Sequence, residues 1–394
     1  MEKKRERYDV LIIGGGSAGL TAAIYCGRAK LKTLVFEKTL VGGLATYTSD
    51  IANYPGFPEG IGGTELMNLF HKQAKNFDVK FKLTDVKSVK LDGEIKEVET
   101  FRVIYEAPVV VIAGGGYPRL TGAINEDLFL YDKGISFCAT CDAAANTDKT
   151  VMVVGSGDSA IEEGIFLTKF AKKVIVSVVH DEGIMDCNEI AKAEALANPK
   201  MEFIWNSMVK EYKGNERLET VVLKNTKTGE DIPVDVDTCF LFIGYLPNTS
   251  LYKDVIDLSP KGYVITNEKM ETNIEGVFAA GDIREKFLKQ VSTAVGDGAI
   301  AGYNSEKFIS ETHTFNNQIL NDGKETLVYL YDSSDSHMLS LLPKVEEIST
   351  NINYDLVKVD VYKSKFIANK LDIQEFPALV YIKDKKVEKI SKEI

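Results

Sequence analysis

Two copies of a strand, a glycine-rich loop and a helix, followed by a βαβαββ tail, predict an α/β chain with two Rossmann-like dinucleotide-binding domains and a small C-terminal module. A length of 394 residues fits two or three domains, and 44% hydrophobic with 27% charged residues fits soluble cores of ordinary size. The formal charge of -11 excludes a nucleic-acid surface, because phosphate contacts need clustered Lys and Arg.

The first unit opens on the β-branched and aliphatic run Tyr8 to Ile13 and passes into Gly14-Gly15-Gly16-Ser17-Ala18-Gly19, with a helix from Leu20 to Lys30. Glycines there permit a tight turn and bring backbone N–H groups and the helix dipole to a pyrophosphate. Glu37 ends the next strand, Thr33 to Phe36, where a carboxylate can accept hydrogen bonds from a ribose 2′-OH. Lys3, Lys4, Arg5 and Arg7 before Val10 to Ile13 imitate a signal peptide, but the apolar run is too short and enters the glycine loop. No apolar stretch approaches the roughly 20 residues that span a membrane, so a cytoplasmic protein is expected.

The second unit runs from the strand Val151 to Val154 through Gly155-Ser156-Gly157-Asp158-Ser159-Ala160 into a helix over Ile161 to Phe170. Its next strand, Val174 to Val179, ends at His180-Asp181-Glu182. Two such units imply two dinucleotides, typically FAD in the first and a nicotinamide cofactor in the second, although the second loop can also persist as scaffold.

Between the loops lies Phe137-Cys138-Ala139-Thr140-Cys141-Asp142. A CxxC pair permits a disulfide within one turn of chain, and a helix start there favours the thiolate that performs exchange. Zinc would need two further ligands, whereas Cys26, Cys187 and Cys239 are isolated and the four histidines form no second pair. Packing is the default role of Cys26 and Cys239; Cys187 is read as the more exposed one. Asp142 serves as a general acid, as the N-cap of a helix beginning near Ala143, or as both.

With these motifs in place, the chain resembles the low-molecular-weight, FAD-containing thioredoxin reductases over roughly Tyr8 to Ser310. The resemblance extends to Asn53-Tyr54-Pro55-Gly56-Phe57, Gly62-Gly63-Thr64-Glu65-Leu66, Gly276-Val277-Phe278-Ala279-Ala280-Gly281-Asp282 and Gln290-Val291-Ser292-Thr293-Ala294. It implies that Gly14, Gly16, Ser17, Ala18, Gly19, Glu37, Gly43, Asn53, Gly281, Asp282, Gln290, Val291 and Ala294 bind FAD, and that Cys138, Cys141 and Asp142 are catalytic. It also implies a discontinuous FAD domain, 1–117 with 247–311, around a nucleotide-binding-like domain, 118–246. Electrons would pass from a donor to FAD, to Cys138–Cys141, and then to a thioredoxin-like or glutaredoxin-like disulfide, in a homodimer.

The chain departs from that family where NADPH-dependent members place His-Arg-Arg and a further Arg to grip the 2′-phosphate. Here the stretch reads His180-Asp181-Glu182-Gly183-Ile184-Met185, and two carboxylates repel a phosphate dianion. NADPH is therefore disfavoured. NADH is one alternative, with Asp181 at the ribose and Gly155, Gly157, Asp158, Ser159 and Ala160 forming the loop; ferredoxin or a deazaflavin as donor is the other. An NADH oxidase, a peroxide-system reductase and a non-catalytic flavin adaptor also stay open. Leu44, where many relatives have Gln, and Ala143-Ala144-Ala145, in place of Gly and aromatic residues, are further departures.

Residues 312–325 read as a polar linker, and 326–394 as the tail. Strands are expected over Thr326 to Tyr331 and Tyr354 to Val361, helices over Met338 to Ile348 (interrupted by Pro343) and Phe366 to Leu371, and a hairpin of Pro377 to Ile382 with Lys386 to Ile390. This order, with Phe376-Pro377, resembles a thioredoxin fold with a cis proline. Asp335-Ser336-His337-Met338 then stands where thioredoxin has CxxC, so the module lacks active-site cysteines and is either a packing appendage or a docking surface.

Overall fold

The computed structural model describes residues 3–48, 51–321 and 323–394; Met1, Glu2, Ser49 and Asp50 of the expected FAD domain and Asp322 of the expected linker lie outside it. The chain divides into two compact units, Met1–Tyr303 and Asn304–Ile394.

In the first unit, Val10–Ile13 is buried at every position, as expected for a parallel strand covered on both faces. It lies at the centre of a five-stranded parallel sheet in the order Val277–Ala279, Val109–Ile112, Val10–Ile13, Thr33–Glu37, Lys80–Leu83. The helices Ser17–Arg28 and Gly63–Lys75 contribute Leu20, Leu66 and Met67 to one apolar layer. On the other side, Leu11, Phe36 and Ile112 pack with Val98 and Tyr105 of a smaller four-stranded sheet.

A second five-stranded parallel sheet repeats the design in the order Ile135–Ser136, Thr238–Leu241, Thr150–Val154, Lys173–Ser177, Met201–Ile204. The helix Asp158–Leu167 contributes to one core, and a three-stranded antiparallel sheet contributes Tyr212, Val221 and Leu223 to the other. Between the two sheets the chain crosses twice, through Gly116–Pro118 and Tyr245–Pro247, which pair with each other antiparallel.

The second unit holds a four-stranded sheet in the order Asp355–Asp360, Thr326–Tyr331, Ala378–Lys383, Lys386–Ser391, with the first pair parallel and the others antiparallel. The Phe376–Pro377 peptide is cis. The helix expected over Met338 to Ile348 is two helices, Ser336–Ser340 and Leu342–Ile352, with Pro343 in the first turn of the second, where its missing N–H has no intrahelical role. Asp335 caps the first, accepting from the His337 and Met338 N–H groups at 2.8 and 3.4 Å.

The segment expected as a linker is partly structured. Helix Val291–Thr314 runs into a π-helical turn, Phe315–Ile319, and Ile319 is fully buried with Phe315 and Leu320 against the second unit's core. Residues 304–311, expected with the FAD domain, also lie in this unit, where Phe308 meets Phe366 edge-on with ring centroids 5.5 Å apart. The spacing of Phe308, Phe315 and Ile319 among polar residues explains both differences: few apolar side chains, widely separated, anchor the segment.

Phe36 is 1% exposed and meets the Tyr105 ring edge-on at 5.0 Å. Phe36→Ala should lower stability by about 3–5 kcal/mol, read as a lower urea midpoint for the first unit, because the cavity opens inside a sheet that cannot collapse onto it.

Candidate active site

Gly14 leaves the central strand at φ +108°, and a Cβ on it would lie 2.2 Å from the Ala113 carbonyl oxygen. Only glycine takes this turn without strain. Gly155 repeats it in the second parallel sheet at φ +134°, with the Phe242 carbonyl oxygen 2.6 Å from a Cβ. Both turns are held alike: Gly14 N–H donates to Phe36 O at 2.9 Å, and Gly155 N–H to Ser177 O at 3.2 Å.

The ribose ends differ. Glu37 Oε2 accepts from the Gly15 N–H at 2.9 Å, which fixes a carboxylate beside the first loop. The register pairs Ile13 with Phe36 and Val154 with Ser177, so the residue ranking with Glu37 in the second parallel sheet is Val178, buried and apolar. Asp181 stands beyond the strand in an ion pair with Lys227. Asp186, not singled out from the sequence, reaches the loop: its Oδ2 accepts from Ser156 Oγ at 2.8 Å and lies 2.8 Å from His180 Nε2. Asp158, which opens the helix, accepts from the Asn188 N–H at 2.7 Å and its side chain at 2.9 Å; Ser159 follows it and Ala160 is fully buried.

An edge strand of each sheet ends at the same side as its loop, and a Cβ on Gly281 would lie 2.8 Å from the Ala18 Cβ of the first loop. Val277–Ala279 leads into Gly281 and Asp282, and Ile135–Ser136 leads into Cys138. Cys138 and Cys141 form a disulfide with Cα atoms 5.3 Å apart. Cys138 is the N-cap of the single helical turn Ala139–Asp142, so Asp142 closes that turn and does not cap a helix at Ala143. The Asp142 carboxylate accepts from Ser136 Oγ at 2.5 Å, and Ser136 Oγ also receives the Cys138 N–H at 3.2 Å. Burial holds the Asp142 carboxyl above the usual carboxylate range, aided by Asp132 and opposed by the Ser136 hydrogen bond.

Around Asp282 lies a polar group of which sequence reading recovered only part. Asp297, buried in the helix that begins at Val291, accepts from the Gly281 N–H at 3.0 Å, Arg284 Nη1 at 2.9 Å and Lys286 Nζ at 3.0 Å. Asn53 donates to Gln290 Oε1 at 3.1 Å, joining its loop to the start of that helix, where Ala294 N–H donates to Gln290 O at 2.9 Å. Tyr47, at the end of the 3-10 turn Gly43–Tyr47, stacks on Tyr131 with centroids 4.4 Å apart and planes 12° off parallel. Tyr131 in turn meets Phe137, the neighbour of Cys138, at 6.1 Å. Cys26 and Cys239 are fully buried; Cys187, expected to be more exposed, is buried too, packed with Ala191, and burial raises its thiol pKa.

The sequence pattern of the pyridine nucleotide-disulphide oxidoreductases matches residues 8–298, and that of thioredoxin matches residues 306–393. The chain belongs to the pyridine nucleotide-disulphide oxidoreductase family. Within that family it is 43% identical to a thioredoxin reductase of Peptoclostridium acidaminophilum over 77% of this chain and 97% of the relative. It is also 43% identical to a thioredoxin reductase of Bacillus subtilis, over 77% of this chain and 95% of the relative. The solved thioredoxin reductase of Streptococcus pyogenes superposes with a TM-score of 0.72 at 40% identity, covering 77% of this chain and 99% of that one. This oxidoreductase is an FAD-dependent enzyme of the thioredoxin reductase type carrying a C-terminal thioredoxin-like domain.

The residues present fit FAD. Asp282 Oδ1 is shielded from solvent and has no hydrogen-bond partner, its nearest cation being Lys286 Nζ at 3.6 Å. A buried carboxylate oxygen left in this state is costly unless a ligand donates to it.

Asp297→Asn should leave Arg284 and Lys286 without their shared anion. The expected loss is about 3–5 kcal/mol, the range for breaking a buried ion pair, together with weaker flavin retention. Release of flavin fluorescence at a lower temperature than in the unmodified protein is the readout.

Proposed function

We propose that this chain reduces the disulfide of a thioredoxin-like or glutaredoxin-like protein, drawing electrons from a donor through FAD to Cys138 and Cys141. The observation that carries the reading is the Cys138–Cys141 disulfide at the carboxyl end of an edge strand, with the Asp142 carboxyl held toward its protonated form beside it. Gly14, Gly16, Ser17, Ala18, Gly19, Glu37, Gly43, Asn53, Gly281, Asp282, Gln290, Val291 and Ala294 would hold FAD, which supplies two-electron redox chemistry when bound. Pairing as a homodimer belongs to the same reading.

In the dithiol state, one cysteine thiolate attacks a sulfur of the partner disulfide. The partner S–S bond breaks, a mixed disulfide forms, and the departing partner thiolate takes a proton from Asp142. The second cysteine thiolate then attacks the mixed disulfide. This restores Cys138–Cys141 and releases the other partner sulfur, so that two electrons leave per cycle.

NADH is the donor we favour over NADPH, because Asp181, Glu182 and Asp186 gather negative charge where a 2′-phosphate would need cations. Reduced ferredoxin or a deazaflavin is the second reading. It draws on the second loop's own saturation, in which Ser156 and Asp158 are already bonded to Asp186 and Asn188.

Anaerobic mixing with NADH, NADPH or reduced ferredoxin, followed by flavin absorbance, should show bleaching by NADH and not by NADPH. Bleaching by ferredoxin alone would end the NADH assignment and leave the disulfide chemistry intact. Cys138→Ser should abolish reduction of a thioredoxin disulfide with FAD still bound; persistent activity would overturn the reading.

The proton donor has a separate signature. Ser136→Ala removes the hydrogen bond that lowers the Asp142 pKa, so the carboxyl should stay protonated to higher pH and the alkaline limb of the disulfide-reduction profile should move upward. Asp142→Asn should eliminate that limb. A profile identical in all three proteins would exclude Asp142 as the acid.

A further inference from the structure

We propose that Asp186 is the specificity residue of the second dinucleotide loop, a carboxylate that accepts from the free 2′-OH of an adenosine ribose and repels a 2′-phosphate. The inference rests on the reading that this loop takes a nicotinamide dinucleotide, and it names the group that chooses between the two kinds.

The two halves of the first unit provide an internal comparison. In the first loop, the second residue, Gly15, is bonded through its N–H to a carboxylate that arrives from the strand end, Glu37. In the second loop the corresponding strand-end position is Val178, whose side chain offers no acceptor. A carboxylate nevertheless reaches the second residue of that loop by another route. The Asp186 N–H donates to Ser156 O at 3.0 Å, Gly157 and Asp186 form a parallel bridge, and Asp186 Oδ2 accepts from Ser156 Oγ at 2.8 Å. The two loops thus acquire an acid at the same loop position from different segments of chain.

The position is fixed without being filled. Ser156 and His180 both address Oδ2, while Oδ1 accepts no hydrogen bond among the described residues, and the side chain is 63% exposed. A ribose hydroxyl can donate to that oxygen, as at strand-end acids of dinucleotide sites. A 2′-phosphate cannot donate, and its charge opposes the carboxylate. Lys227 is paired with Asp181.

Titration calorimetry of the flavin-loaded protein with ADP-ribose and with 2′-phospho-ADP-ribose tests this without turnover. The unmodified protein should bind ADP-ribose at least about tenfold more tightly, the scale of one hydrogen bond to a charged group. Asp186→Ser should lose about tenfold in ADP-ribose affinity and narrow the preference, and Asp186→Arg should shift it toward the 2′-phosphate. An unaltered flavin spectrum and unaltered reduction of Cys138–Cys141 by dithiothreitol establish that the variants are folded. ADP-ribose binding with the same preference in all three proteins would overturn the role of Asp186 and leave the nicotinamide reading standing. Binding of neither ligand by any of the three would overturn both, with the disulfide chemistry untouched.

Discussion

The hydrogen bonds that hold Val10–Ile13 between Thr33–Glu37 and Val109–Ile112 are the constraint from which the first unit follows. A parallel strand buried on both faces ends with its chain pointing out of the sheet, and the next residue must turn at once. Gly14 makes that turn against the Ala113 carbonyl, which sends the following N–H groups and the start of helix Ser17–Arg28 toward the same edge. Neighbouring strands bring two carboxylates to that edge, Glu37 from one side and Asp282 from the other.

The second sheet applies the same constraint to different chemistry. Its edge strand, Ile135–Ser136, occupies the place of Val277–Ala279 in the first, and where that strand leads to the Asp282 carboxylate this one leads to a disulfide. Ser136 is the hinge of that arrangement, since its hydroxyl touches both the Cys138 backbone and the Asp142 carboxylate. The two sheets are joined by paired strands Gly116–Pro118 and Tyr245–Pro247, and the Tyr47–Tyr131 stack adds a second tie close to the redox pair.

Features that a residue declares through its own neighbours in sequence were legible. Both glycine loops, the CxxC pair and the strand run before each loop depend on spacing over a few residues, and the thioredoxin-like order of the tail depends on apolar periodicity. What escaped depends on long separations. Asp297 meets Gly281 across sixteen residues, and Asp186 meets Ser156 across thirty. Nothing in a run of sequence distinguishes such a carboxylate from a solvated one. Asp142 has the residue type of both an acid and a cap, and the start of the helical turn at Ala139 removes the capping role. The polar stretch around Phe315 hid a packed turn because its anchoring side chains are outnumbered by asparagine and glutamine.

At the tail, the Asp335 side chain binds two backbone N–H groups at the place where the thioredoxin resemblance puts a cysteine. A carboxylate there secures the helix but can neither store nor pass on electrons. The remaining thiols, Cys26, Cys187 and Cys239, are buried singly. The chain therefore has the sulfur capacity for one electron pair, located entirely at Cys138 and Cys141. The terminal domain holds no thiol that could take that pair up.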